Sequence, residues 1–387
     1  MDLASQRWRN LGLAAGAATA GLFALFDLYQ WALAYAGDRF HNDFTFYYAA
    51  AKIGLAHGWG SIYDLSLQQA QLDAMGSRIT IAELARYISP PPVAWVALPF
   101  TLLPYEVAYW AWSALLLVAL GLTWWLAAPG AGLTRLILLA AAVGWLPVIY
   151  GLQLGQPGLF VAVGVAASYA LLRGGRPFLA GLALGPLALK PQLAFLVPFA
   201  LLVVGQRRAF LGSVVSLGVL GAASLAALGA GGVHAYLDRL SFAASVPVNR
   251  ELTLTYVLGD AARPAQVFIA AWALLIAYSS RRRGIEWPFA IAILGGMLAT
   301  PYVHLDDLAM LGLAGWLFLR AEPRAAAYVL ALAVVIEGEP IWGPAPLIGV
   351  EVGALAVLSA AALRPERPRA VPEPRAPGRS HQPTTLR

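Results

Sequence analysis

Residues 178–204 read FLAGLALGPLALKPQLAFLVPFALLVV, an apolar stretch with one charge, Lys190, at its centre. Arg173 and Arg176 flank it on one side, Arg207 and Arg208 on the other. Basic residues at the ends of membrane segments stay on the cytoplasmic side. A stretch that is basic at both ends must therefore leave the cytoplasm and return. It has 27 residues in which to do so, and a full helical crossing needs about 20. Pro191 ends a helix and steers Lys190 away from the α region. The stretch is thus predicted to be two short helices meeting at Lys190. Broken helices of this kind are tolerated in a bilayer where they line a protected cavity.

The rest of the chain supports a membrane setting. Its 387 residues are 60% hydrophobic and 12% charged, with a mean hydropathy of +0.68. Soluble proteins carry about 25% charged residues. Apolar runs recur along the whole length, and 38 Gly and 26 Pro predict kinked spans and close helix approaches. There is no cysteine, so thiol chemistry and disulfides are excluded. The net charge of +6 comes mostly from arginines at the ends of apolar runs, which membrane topology explains without a nucleic-acid partner.

Arg7 and Arg9 precede a first span at 11–33 and place the N-terminus in the cytoplasm. That run is not followed by a small-residue cleavage site, so no cleavable signal peptide is expected. A polar stretch at 34–90 is expected outside, with amphipathic helices at 44–56 and 62–75 lying on the membrane surface. Keeping Arg281, Arg282, Arg283, Arg320 and Arg324 cytoplasmic gives spans near 209–230, 264–280, 287–302, 306–320, 325–338 and 341–363. Segment 231–263 then becomes a second external loop. Spans at 105–127, 134–150 and 157–172 complete the path, with 90–104 entering the membrane without crossing. The expectation is an all-α polytopic membrane protein of about twelve transmembrane helices. It forms one domain over 1–363, followed by a disordered cytoplasmic tail at 364–387, rich in Pro and Arg.

This topology gathers polar residues from distant parts of the chain near the outer interface: Asp43, Gln156, Lys190, Gln192, His304, Asp306 and Asp307. Ionisable groups in or beside membrane segments are costly, which makes each a functional candidate. Each also has a plainer reading. Asp43 fits an N-cap for the helix that follows it. Lys190 could snorkel to headgroups, and His304 could be an interfacial loop residue. Asp306 and Asp307 could simply begin a helix, and Gln156 could satisfy backbone at a helix end. The His304, Asp306, Asp307 group could also be read as a metal site, but nothing supplies the rest of a coordination shell.

Several of these residues lie in motifs that resemble glycosyltransferase family 87. Asp43-Phe44-Thr45-Phe46-Tyr47-Tyr48-Ala49-Ala50, followed by Gly58 and Ile62-Tyr63-Asp64, is similar to that family's first-loop signature. Pro90-Pro91-Pro92, Pro99, Leu103-Pro104, Gly155-Gln156, Ala180-Gly181-Leu182, Leu189-Lys190-Pro191 and Thr300-Pro301-Tyr302 before His304 follow in order. The resemblance extends over about residues 11–320. It implies a GT-C-type bundle and an inverting transfer of a sugar, most readily mannose, from a polyprenyl-phosphate donor. The acceptor would be a hydroxyl of a glycolipid or glycan on the external (periplasmic) face of a bacterial-type plasma membrane. It implies Asp43 as general base and His304 as an active-site residue, with Lys190 and Gln156 lining the same cavity.

The chemistry agrees. A carboxylate within reach of the acceptor hydroxyl can take its proton. A lipid phosphate leaves already charged, so it needs cations and donors, for which Lys190, His304 and Arg86 are available. The lipid tail of such a donor needs a groove open to the bilayer. Gln192, Asn249 and Arg250 could contact sugar or phosphate. Tyr48, like Tyr47, could stack on sugar or anchor the interface. Asn42 precedes Asp43 where metal-dependent GT-C enzymes have a paired acid, so neither a metal nor any other cofactor is expected. The competing class is a transporter or flippase, which also has a polar cavity in a helical bundle. Transporters are commonly built from internal repeats and hold their ionisable residues near the midplane, whereas this chain has no convincing repeat and a one-sided polar set. A structural partner without catalysis would leave the grouping of Asp43, Lys190 and His304 unexplained.

Overall fold

The computed structural model describes residues 3–82 and 85–364. These residues form helices and turns, with no strand among them. Helix α1 (Leu3–Gly37) leads through a short turn to α2 (Phe44–His57) and α3 (Leu65–Ala74). Helix α4 (Pro91–Ala97) tightens into a 3-10 turn at Leu98–Leu102 and precedes α5 (Tyr105–Ala127). Next come α6 (Gly132–Val143) and α7 (Leu146–Leu154), which meet at a 54° bend, and α8 (Gly158–Arg173).

The apolar stretch around Lys190 comprises α9 (Pro177–Leu182), two 3-10 turns at Gly185–Ala188 and Pro191–Leu193, and α10 (Leu196–Val203). The break falls at Lys190, whose φ of −145° and ψ of 79° leave the helical region just before Pro191. Helix α11 (Arg207–Ser245) follows, then α12 (Leu254–Leu258), α13 (Ala262–Ser279), α14 (Glu286–Ala299) and a 3-10 turn at Leu305–Leu308. The chain continues with α15 (Ala309–Ala321), α16 (Ala326–Glu337), α17 (Glu339–Trp342) and α18 (Pro344–Leu363).

Among the described residues, five helical stretches are long and apolar enough to cross a membrane, and a sixth crossing results if the bent pair α6–α7 counts as one span. The expectation of about twelve exceeds this number, because much of the remaining apolar sequence is spent on shorter or broken helices such as α8, α9 and α14. Small residues make the close packing possible. A Cβ on Gly181 of α9 would lie 1.9 Å from the Ala209 carbonyl oxygen, and one on Gly212 of α11 would lie 2.2 Å from that of Phe178.

Two expectations change. Helix α2 does not lie on a surface, since ten of its 14 residues are buried. Its aromatic side chains pack into the bundle, Phe44 against Trp112, Tyr105 and Phe100, and Tyr48 against Tyr105. Helix α3 buries only Gln68 and Leu72 and remains peripheral. Segment 231–263 is largely helical, because α11 passes through a kink at Gly229 and runs on to Ser245. At about 1.5 Å per residue, its 39 residues exceed the roughly 30 Å hydrocarbon core. Apart from Arg364, the expected tail lies outside the described residues.

Candidate active site

Asp43 sits between α1 and α2, and its backbone N–H donates to the Leu154 carbonyl at the end of α7 (2.9 Å). Its side chain makes no capping bond to α2. That role falls to Asn42, whose Oδ1 accepts from the Thr45 backbone N–H (3.0 Å). The Asp43 carboxylate, partly exposed, instead accepts from Gln156 Nε2. The Gln156 amide oxygen in turn accepts from the Tyr47 hydroxyl (3.1 Å).

Gln156 is placed by the turn before it. Gly155 takes the left-handed conformation (φ 70°) that ends α7, and the Gln156 N–H returns to the Gly151 carbonyl (2.8 Å). The turn is packed so tightly that a Cβ on Gly155 would come within 2.8 Å of the Phe44 Cβ. Trp112 Nε1 donates to the Gly155 carbonyl (2.8 Å) and packs against the same turn.

Lys190 is buried at the break in the hairpin. Its ammonium donates to Asp306 Oδ2 and to Asp307 Oδ1, both at 2.6 Å, and both carboxylates are almost wholly shielded from solvent. The second oxygen of Asp307 accepts from the His304 backbone N–H (3.0 Å). Asp306 Oδ1 is buried with no hydrogen-bond partner. One cation thus faces two buried anions, leaving an excess negative charge beside Asp43. Burial, reinforced by the charge of Asp306, pushes the Asp43 carboxyl up to about 6, against the opposing influence of Lys190, His304 and the bond from Gln156.

His304 is held from the other side. Its Nε2 lies 2.6 Å from Asn249 Oδ1, while Asn249 Nδ2 donates to the Ala243 carbonyl (2.7 Å). A carbonyl can only accept, so this fixes the amide orientation and makes His304 Nε2 the donor toward Asn249. The other ring nitrogen, Nδ1, is left for a ligand. Tyr302 stacks on the imidazole at 4.8 Å between ring centroids.

Of the residues expected to converge, Asp43, Gln156, Lys190, His304, Asp306 and Asp307 lie in one group, and Asn249, from segment 231–263, joins it through His304. Lys190 is committed to Asp306 and Asp307 rather than standing as an unmatched cation. Tyr48 donates its hydroxyl to the Leu103 carbonyl (2.9 Å) and packs in the aromatic core, away from the Asp43 carboxylate. Arg86 lies over the Phe242 ring and donates from Nε to the Ala82 carbonyl (2.8 Å). Gln192 and Arg250 are partly exposed, and neither side chain is hydrogen-bonded to the group.

Sequence reasoning underrated Tyr47, Tyr302, Asp306 and Asp307, and it missed Tyr150, which shares the electrostatic surroundings of Asp43 and Asp306. The Tyr302 and Tyr47 positions were visible as parts of motifs. Tyr150 carried no signal. Among the described residues, no three His, Asp or Glu side chains are arranged to hold a metal ion.

A family model described as glycosyltransferase family 87 matches residues 87–335, which takes in Gln156, Lys190, Asn249, His304 and the aspartate pair but not Asp43. No curated protein matches the chain, and no solved structure matches it. The family match covers more than half of the sequence, and the protein, a membrane glycosyltransferase, belongs to glycosyltransferase family 87.

Proposed function

We propose that the enzyme transfers a sugar, mannose in the first instance, from a polyprenyl-phosphate donor to a hydroxyl of a glycolipid or glycan acceptor. The transfer takes place on the outer face of the membrane with inversion at the anomeric carbon. The observation that carries this reading is the state of Asp43: a carboxylate freed from capping by Asn42, gripped by Gln156, open on one side, and with a pKa raised to about 6. A base poised near neutrality is what proton abstraction from an alcohol requires.

In this mechanism the acceptor oxygen attacks the anomeric carbon as its proton passes to Asp43. The bond from that carbon to the phosphate oxygen breaks, and the electron pair leaves with the lipid phosphate. With Nε2–H committed to Asn249, His304 can donate through Nδ1 to the departing phosphate only as the imidazolium. Lys190, already matched by two aspartates, shapes the site more than it neutralises the leaving group. Tyr302 and Tyr150 are suited to packing against sugar.

The test uses membranes containing the full-length enzyme and a labelled polyprenyl-phosphate mannose. Asp43→Asn is expected to abolish transfer while the protein still inserts and folds. Full transfer by Asp43→Asn removes Asp43 as base, and wild-type transfer from a nucleotide sugar alone removes the lipid donor.

A further inference from the structure

The site described above is acidic. Asp43, Asp306 and Asp307 share one cation, Lys190, whose ammonium is already bonded to two of them. A lipid-phosphate donor is a phosphodiester with one negative charge. When the bond from its phosphate oxygen to the anomeric carbon breaks, the electron pair stays on that oxygen and the phosphate gains a second charge. The acceptor proton goes to Asp43 and does not offset that charge. A cation outside the Lys190 triad is therefore required. Arg39 is paired with Glu106, and Arg86 donates to the Ala82 carbonyl.

Arg239 meets the requirement. It lies on α11 beyond the kink at Gly229. Gly232, Tyr236, Arg239 and Ala243 follow one another at helical spacing, which puts them on one face. That face is turned inward. A Cβ on Gly232 would lie 2.8 Å from the Gly60 Cα, Tyr236 stacks on Tyr63 at 5.0 Å, and Ala243 is buried. Asp238, the acid next to Arg239 in sequence, instead lies 3.7 Å from His234, and both are exposed. The Arg239 Nε is buried without a hydrogen-bond partner, and no ion pair among the described residues includes it. The residue is partly exposed, so the outer edge of its guanidinium stays open.

Two separate chains of contacts tie this face to the reacting groups. One turn beyond Arg239, the Ala243 carbonyl accepts from Asn249, which accepts from His304 Nε2. On the other side, Tyr236 begins a run of rings through Tyr63 and Tyr87 to Tyr47. Tyr47 is bonded to Gln156, the partner of Asp43. Arg86 lies over the Phe242 ring at 4.1 Å and adds positive charge to the same part of α11.

We propose that Arg239 binds the phosphate of the lipid-linked donor and stabilises its second charge as the sugar departs. The proposal rests on the donor class proposed above and adds the group that receives its phosphate. A guanidinium presents parallel N–H donors that match two phosphate oxygens, a fit that an ammonium lacks. Carboxylates on one side and an arginine on the other also give the donor one orientation, with its anomeric carbon toward Asp43 and its phosphate toward α11.

The experiment measures equilibrium binding of labelled polyprenyl phosphate and of unphosphorylated polyprenol to the full-length enzyme in a maltoside detergent, which carries no phosphate. Arg239→Gln is expected to weaken polyprenyl phosphate about tenfold or more, as loss of a hydrogen bond to a charged group does, and to leave polyprenol unchanged. Arg239→Lys keeps the charge and loses the fork, so it is expected to fall between. Arg263→Gln, at an exposed position on α13, is expected to bind both as the wild type does. Unchanged affinity in Arg239→Gln, an equal loss for polyprenol, or the same loss in Arg263→Gln overturns the proposal. So does displacement of polyprenyl phosphate by phosphatidic acid at equal concentration, which would make Arg239 a contact for bilayer headgroups.

A second arm needs neither a variant nor turnover. Phenylglyoxal, which modifies accessible arginines, is expected to react at Arg239, and polyprenyl phosphate but not polyprenol is expected to protect it. An Arg239 that is unreactive, or that reacts alike with and without polyprenyl phosphate, overturns the proposal. If the wild type transfers no sugar from the lipid donor but the protection holds, the donor reaction fails while the phosphate site stands.

Discussion

Gln156 Nε2 donates to Asp43 Oδ2 across a separation of 113 residues, and the same amide accepts from Tyr47 through its oxygen. Gln156 is thereby fixed in one orientation and presents a donor, not an acceptor, to the carboxylate. Such a bond favours the ionised form of Asp43 and holds it in place. Burial and Asp306 work in the opposite direction and win, so the group titrates near 6.

The acid limb of the transfer rate should follow that balance. Below about pH 6 Asp43 holds its proton and cannot accept another, so kcat/KM should fall as pH drops through this value. The folded-state pKa lies above the ordinary carboxylate value, so the native state binds the proton more tightly than the unfolded chain. The contribution of Asp43 to stability is therefore greatest at low pH and is lost as pH rises from about 4 to about 6. Asp43→Asn should consequently lose transfer without losing stability at neutral pH. A pH–rate profile and thermal unfolding in detergent measure both. An acid limb centred near 4 would show that Asp43 is not the titrating base.

Lys190 gives a different signature. Truncation to Ala or Met leaves Asp306 and Asp307 buried beside each other with no cation, a change that typically costs about 3–5 kcal/mol. Loss of Lys190 should therefore appear first as loss of folded protein and only second as loss of donor use. Combining Lys190→Met with Asp306→Asn and Asp307→Asn removes all three charges and should recover most of the stability. If Lys190→Met alone unfolds at the wild-type temperature, the triad is not holding the hairpin to the 302–307 loop.

The aspartate pair also marks the limit of what the sequence discloses. The bounds of α5 are readable to the residue, because a proline precedes it and an Ala-Pro pair follows an unbroken apolar run. The break at Lys190 is equally legible, because Pro191 dictates backbone geometry locally. The partners of Lys190 are 116 and 117 positions away, and in sequence they look like two acids opening a helix. The burial of α2 is hidden for a related reason. Its aromatic and small residues suit a surface helix as well as a core one until Trp112, Tyr105 and Phe100 are seen against it. Segment 231–263 reads as a loop because keeping the arginines cytoplasmic leaves it between the spans 209–230 and 264–280, yet α11 continues through it to Ser245 and only Gly229 leaves helical geometry. Local signals locate breaks well, whereas contacts between distant segments decide which side chains share a site.

His304 depends on Asn249 for the orientation of its ring. Asn249→Leu removes the acceptor for Nε2 and the donor to the Ala243 carbonyl, which should cost about 1–3 kcal/mol of stability and most of the transfer rate. Asn249→Asp keeps an acceptor for Nε2–H while losing the bond to Ala243. Its rate should fall between the wild type and the leucine variant. The ordering of the three turnover rates at matched folded protein is the measurement, and equal rates for wild type and Asn249→Leu would show that the ring is set by something else.

Gly155 tests whether the turn at the end of α7 positions the base. Alanine there must hold φ near 70° and place a Cβ 2.8 Å from that of Phe44. Left-handed backbone alone costs roughly 1–2 kcal/mol for a residue with a side chain, and the contact forces the turn and α2 apart. Asp43 is bonded through its N–H to Leu154, the residue before Gly155, so the displacement passes directly to the carboxylate. Gly155→Ala should therefore reduce transfer by more than about tenfold, since small misplacements of catalytic groups are costly. Gly58 supplies the comparison: it also has positive φ (86°), but a Cβ there meets nothing within 4 Å. Gly58 has ψ 152°, outside the left-handed well that Gly155 occupies, so Gly58→Ala carries at least as much backbone strain without a contact that moves Asp43, and should keep its rate. Equal losses of rate in the two variants, measured at matched folded protein, would mean that general strain matters and the Gly155 turn does not.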